Sequence, residues 1–104
     1  MESSTNNVAD TILQQFGGNR FVAMTGAKQM VSLEDGIQFK LGRGAARRIN
    51  KVRVTLGSDD LYKLEFFRID VREGKVFHIA VCERVHAESL RSCFTNITGM
   101  DCSL

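Results

Sequence analysis

Four runs between Ile37 and Val85 alternate between apolar and polar residues, and no other feature narrows the chain's possible folds as much. The alternation is strictest over Lys51–Leu56, where Val52, Val54 and Leu56 take one parity and Lys51, Arg53 and Thr55 the other. A two-residue period belongs to a strand with one buried face and one wet face, because successive side chains leave a pleated strand on opposite sides. Ile37–Leu41 repeats the pattern, with Ile37, Phe39 and Leu41 set against Gln38 and Lys40. In Tyr62–Ile69 the inner face is Tyr62, Leu64 and Phe66, while Phe67 falls on the other face beside Lys63 and Glu65. In Val76–Val85, Phe77, Ile79 and Val81 alternate with His78, Ala80 and Cys82. Upstream, Arg20–Met24 reads as a first strand and Gln29–Leu33 as a weaker one.

The connections point to antiparallel pairing. Asp35-Gly36 between two apolar runs is the best hairpin signal in the chain. Gly57-Ser58-Asp59-Asp60 and Arg72-Glu73-Gly74-Lys75 are the next turns. The chain has no proline, so Gly, Asn, Asp and Ser must make every turn. Helical periodicity is confined to the two ends. Val8, Ile12 and Phe16, with Leu13 beside them, form one stripe over Val8–Phe16, capped by Asn6 or Asn7 and ended by Gly17-Gly18. Leu90, Phe94 and Ile97 form the stripe of a closing helix over Glu88–Asn96, which Gly99 ends. The fold expected is α+β: a five-stranded antiparallel meander sheet, one strand fewer than the six strand-like runs, with an N-terminal and a C-terminal helix packed on one face. Residues 1–7 are expected to be a flexible arm, and residues 8–104 a single domain large enough to hold a core without staples.

Several functional classes fall away. No apolar run approaches the length of a membrane span, and the polar Met1–Asn7 opening is no signal peptide, so a cytoplasmic protein is expected. The three cysteines, Cys82, Cys93 and Cys102, are odd in number and lack paired spacing, which argues against a disulfide framework. His78, Cys82 and His86 are spaced four apart, but only His78 and Cys82 would share a strand face, too far apart along it to chelate one metal. Asp59-Asp60 sits in a turn, where Asp is favoured for backbone reasons. Neither Cys82 nor Cys93 has a sequence neighbour that would lower its pKa. No enzyme activity and no cofactor are expected.

One segment stands out by charge. Residues 40–53 carry Lys40, Arg43, Arg47, Arg48, Lys51 and Arg53 and no anion, leaving eight of the 14 cations against all 12 anions elsewhere. A one-sign cluster repels itself, and an anionic partner relieves that repulsion. The bland alternative is a solvated loop. Gly42 and Gly44 would let backbone N–H groups approach a phosphate, although the spacing matches neither the P-loop nor the dinucleotide fingerprint. These six cations are the candidate nucleic-acid contacts, for DNA or RNA, with Phe67 or Tyr62 available for stacking. The competing expectation is an interaction module or inhibitor whose partner is an acidic protein. Thr25-Gly26-Ala27-Lys28 is a further polar, glycine-containing stretch, expected to be a strand break rather than a functional loop.

The runs Thr11-Ile12-Leu13-Gln14-Gln15-Phe16-Gly17-Gly18 and Phe21-Val22-Ala23-Met24-Thr25-Gly26-Ala27-Lys28 carry a resemblance. Val52-Arg53-Val54-Thr55-Leu56, Asp60-Leu61-Tyr62, and Leu90 with Phe94-Thr95 and Thr98-Gly99 extend it. Together they resemble a group of small uncharacterised proteins of bacterial genomes, prophages and mobile elements that share this opening. The resemblance implies a compact stand-alone accessory protein. It implies no activity and assigns no site residue.

Overall fold

The structure is a computed structural model and describes residues 7–42 and 44–100. Most of the expected arm, residues 1–6, lies outside the described residues, as do Arg43 and residues 101–104; Asn7 already belongs to the first helix. The elements run α1 (Asn7–Phe16), α2 (Asn19–Thr25), β1 (Lys28–Leu33), β2 (Gly36–Lys40), β3 (Lys51–Leu56), β4 (Tyr62–Asp70), β5 (Lys75–Val85) and α3 (Leu90–Thr98). Short 3-10 turns at Ala46–Arg48 and Ala87–Ser89 precede β3 and α3. The five strands pair antiparallel in sequence order, β1-β2-β3-β4-β5, which is the meander expected.

One face of the sheet is dry. Ile37, Phe39, Val52, Val54, Leu64 and Phe66 point to it, and the helices cover it with Ile12, Phe16, Phe21, Leu90 and Phe94. Phe16, Phe21 and Phe94 make a mutual cluster, with centroids 4.8 Å apart for Phe16–Phe21 and 5.2 Å for Phe21–Phe94. Phe39 meets Phe16 and Phe21 edge-on. Such pairs add roughly 0.5–1.5 kcal/mol each beyond the area they bury. The short helices hold only because their apolar stripes share this core.

Arg20–Met24 is not a strand; it lies within α2. Its apolar residues fit either period, and tertiary contacts decide between them. Gly18, at φ 61°, turns the chain sharply after α1, so that Phe21 stacks on Phe16. Phe21 and Thr25, four residues apart, are then the fully buried positions, which is a helical spacing. The Thr25 hydroxyl donates to the Phe21 carbonyl (2.7 Å) and accepts from the Ala27 N–H (3.3 Å), while Gly26 closes the helix in the left-handed conformation. Thr25-Gly26-Ala27-Lys28 is thus a helix C-cap. The end of α3 repeats it residue for residue. The Thr98 hydroxyl donates to Phe94 (2.8 Å) and accepts from the Met100 N–H (3.1 Å), and Gly99 is left-handed. Both termini spell Phe-x-x-x-Thr-Gly, which satisfies a buried hydroxyl and helix-end groups together.

The pairing of β4 with β5 corrects a second expectation. Phe66 lies opposite Ala80, yet Phe67 lies opposite His78, so Ile79 is an extra residue on β5. A bulge of one residue inverts the faces beyond it. Cys82, opposite Leu64, therefore packs toward the core, whereas His78 joins Phe67 on the other face. They do not share a face as expected. Among the described residues, no group of three His, Cys, Asp or Glu could hold a metal ion. Among the described residues, no helix is long and apolar enough to cross a membrane.

Candidate anion-binding surface

The charged segment enters the structure at the end of β2. The Leu41 N–H donates to the Asn50 carbonyl (3.0 Å), and the Asn50 N–H donates to the Phe67 carbonyl (2.9 Å). The Asn50 side chain adds two bonds, donating to the Ile69 carbonyl (3.0 Å) and accepting from the Ile69 N–H (2.8 Å). Asn50 thereby stands in for a strand residue where β3 has not yet begun. Its small carboxamide carries both a donor and an acceptor, which is what a strand's main chain presents. Charge and periodicity gave no sign of this anchor.

Between the two anchor points the chain makes a tight turn, closed by the Ile49 N–H donating to the Ala46 carbonyl at 3.1 Å. Arg47 and Arg48, the central residues, both have positive φ, 56° and 58°. Two left-handed residues in succession define a primed turn, which Asn and Gly adopt readily and arginine does not. Both arginines are exposed, while Ile49 beneath them is buried. Gly42 has a different task from the one its composition suggests. Its N–H donates to the Thr25 carbonyl (3.0 Å), and a Cβ on Gly26 would stand 3.1 Å from the Gly42 Cα. The two glycines let the C-cap of α2 and the start of the loop touch backbone to backbone.

The sheet face that no described helix covers continues the cationic surface. Strand register places Lys28 opposite Lys40, Lys40 opposite Lys51, Lys51 opposite Phe67, and Phe67 opposite His78. One row thus crosses all five strands and starts with three lysines. The next row reads Val31, Gln38, Arg53, Glu65 and Val81. Lys40, Lys51 and Arg53 therefore share one face beside the turn. Lys28, outside the charged segment, joins them because Gln29 (φ 53°) is a bulge residue that rotates it onto their face. Lys28 also lines an open depression of ≈ 690 Å³ with Leu41, Gly42, Gly44, Arg48 and Asn50, so the turn and the face are continuous.

Like charges directly opposite on adjacent strands destabilise a sheet. None of Lys28, Lys40 or Lys51 has an ion-pair partner among the described residues. Arg53 differs. Its Nε donates to Gln38 Oε1 (3.2 Å), and its Nη1 lies 3.8 Å from Glu65 Oε1. Glu65 also meets His78 Nε2 at 3.5 Å. Phe67 lies beneath this layer. Its ring centroid is 5.9 Å from Lys51 Nζ, 5.4 Å from the Arg53 guanidinium carbon and 5.0 Å from the His78 ring. Tyr62 cannot share that role, because it points into the core and is 5% exposed. Burial raises its hydroxyl above the ordinary 10.0, a hydrogen bond from Gln15 opposes the rise, and Asp60 adds to it.

A second depression, ≈ 450 Å³ and largely apolar, lies between β5 and α3, with Cys82 and Cys93 among its walls. Burial, with the neighbouring Cys82 thiol, pushes the Cys93 thiol up to about 12, which is the reverse of an activated nucleophile. In comparisons with protein-family models, with curated proteins and with solved structures, this chain matches none.

Proposed function

We propose that the protein is a small non-enzymatic accessory protein that binds nucleic acid through the Arg47-Arg48 turn and the cationic row beside it. The row Lys28, Lys40, Lys51 carries this reading. Three cations at consecutive opposite positions repel one another in the free protein, and a phosphate backbone laid along them removes that repulsion. The positive φ of Arg47 and Arg48 supports it, since left-handed arginines cost about 1–2 kcal/mol each and neither side chain is buried in return. Charge elsewhere in the chain is net negative, so an anionic partner is drawn most strongly to this segment.

Fluorescence anisotropy with labelled oligonucleotides between about 50 and 200 mM salt tests the proposal. About four phosphate contacts give a slope of log K against log salt near −3 to −4, hence roughly a hundredfold loss across that range. Replacing Arg47 and Arg48 by glycine lowers the slope by up to about 2, with little dependence on base sequence. No binding to any oligonucleotide would overturn the reading. A second reading, an acidic protein partner, draws on the half-exposed Val31 (48%) and Val81 (44%), which end the Arg53–Glu65 row. It predicts one host protein retained from nuclease-treated lysate and lost with the arginines.

A further inference from the structure

Resting on the nucleic-acid reading above, we infer that the partner is a single strand, laid across the sheet from Lys28 toward His78, with Phe67 as the stacking platform for one base. Four observations support this. First, the row runs perpendicular to the strands, so its length is set by strand spacing. Five strands about 4.8 Å apart span about 19 Å, and the three lysines occupy the first half of that distance. Second, a face that wide does not enter a duplex. The major groove is about 12 Å across and admits a helix or a two-stranded ribbon, so a duplex would meet this sheet only along its backbone. A single strand has no such limit, because its bases are free to splay onto a surface.

Third, the row changes chemistry where a strand of nucleic acid would require it. Beyond Lys51 the next position is an aromatic ring, Phe67, flanked by the His78 ring. Alternating phosphate charge and flat bases call for cations followed by aromatic faces. Fourth, the covering over Phe67 is made of phosphate-binding groups. Lys51 and Arg53 lie over the ring in the free protein, and the ring is only 9% exposed. Phosphates that draw these two cations aside uncover the ring for a base. Glu65, 3.8 Å from Arg53 and 3.5 Å from His78, holds the closed arrangement in the absence of nucleic acid.

The test uses the full chain and three anisotropy probes at one salt concentration: a thymidine oligonucleotide of about 15 nucleotides, a duplex of the same length, and inorganic polyphosphate in competition. The single strand should bind at least about tenfold more tightly than the other two. Phe67→Leu should weaken the single strand about tenfold and leave polyphosphate within about twofold. Lys28→Ala should weaken all three by a similar factor of a few. Equal affinity for all three probes on the unaltered chain overturns the inference and leaves the cationic-surface reading standing, and this comparison needs no variant to fold. A Phe67→Leu loss that is the same for polyphosphate likewise overturns it. Absence of binding to all three sinks both readings together.

Discussion

Asn50 meets the main chain of Ile69 with both ends of its carboxamide, at 2.8 and 3.0 Å, and so splices the cationic turn onto β4 before β3 begins. The bond pair is what positions Arg47 and Arg48 next to the lysine row. Asn50→Ala leaves a partly buried N–H and carbonyl of Ile69 unpaired and should cost about 1–3 kcal/mol in urea melts. Asn50→Asp keeps the acceptor, loses the donor, and should fall between the two. A parent-like midpoint for Asn50→Ala would show that solvent replaces the pair without cost.

Gly36 should tolerate no side chain. A Cβ there would collide with the Val54 carbonyl and stand 2.8 Å from the Thr55 Cα, both backbone atoms of β3 that cannot rotate away. Gly36→Ala should therefore destabilise by roughly 3 kcal/mol or more, and circular dichroism melts give the comparison.

The face assignment of β4 is checked by two substitutions three residues apart. Phe66 is fully buried opposite Val52, and Lys63 is exposed opposite Thr55. Phe66→Ala should cost about 3–5 kcal/mol, and Lys63→Ala should stay within about 0.5 kcal/mol of the parent. The opposite ranking would mean a register shifted by one residue.

Glu65 is the single carboxylate within ion-pair distance of Arg53 and His78 among the described residues. Glu65→Gln removes one negative charge from the face at constant shape. Oligonucleotide affinity should rise severalfold, with a steeper salt slope, while the melting midpoint moves little, since partly exposed ion pairs contribute about 1 kcal/mol or less. Unchanged affinity would place the nucleic acid elsewhere.

Cys93 should resist alkylation. With its thiol pushed from 9.0 to about 12, its thiolate fraction in the folded chain is on the order of a thousandfold below that of the unfolded one. Mass-spectrometric mapping after iodoacetamide at pH 8 should find Cys93 unlabelled until urea is added. The stability consequence has a defined sign. The folded thiol binds its proton more tightly than the unfolded one, so this contribution is full below about 9 and is lost as pH rises toward about 12.

Strict alternation over Lys51–Leu56 and Tyr62–Phe66, with turn residues between, was enough to determine the antiparallel meander and its dry face. A two-residue period has only one structural meaning, and hairpin-length connections leave little choice of order. The end helices were legible for the same reason, in the spacing of Ile12 with Phe16 and of Leu90 with Phe94. Charge alone marked Lys40, Arg43, Arg47, Arg48, Lys51 and Arg53, because clustering in sequence needs no fold to be seen. Tertiary structure decided the rest. Phe21 and Val22 suit a strand or a helix equally, and only packing against Phe16 and Phe94 selects α2. Bulges at Gln29 and Ile79 each insert one residue, and each inverts the faces beyond it, bringing Lys28 onto the cationic row and moving His78 away from Cys82. A bulge leaves no periodic trace in a single sequence, since its cause lies in the partner strand. Asn50 is the sharpest case: its meaning rests on Ile69, 19 residues away, and exists only once β4 lies beside it.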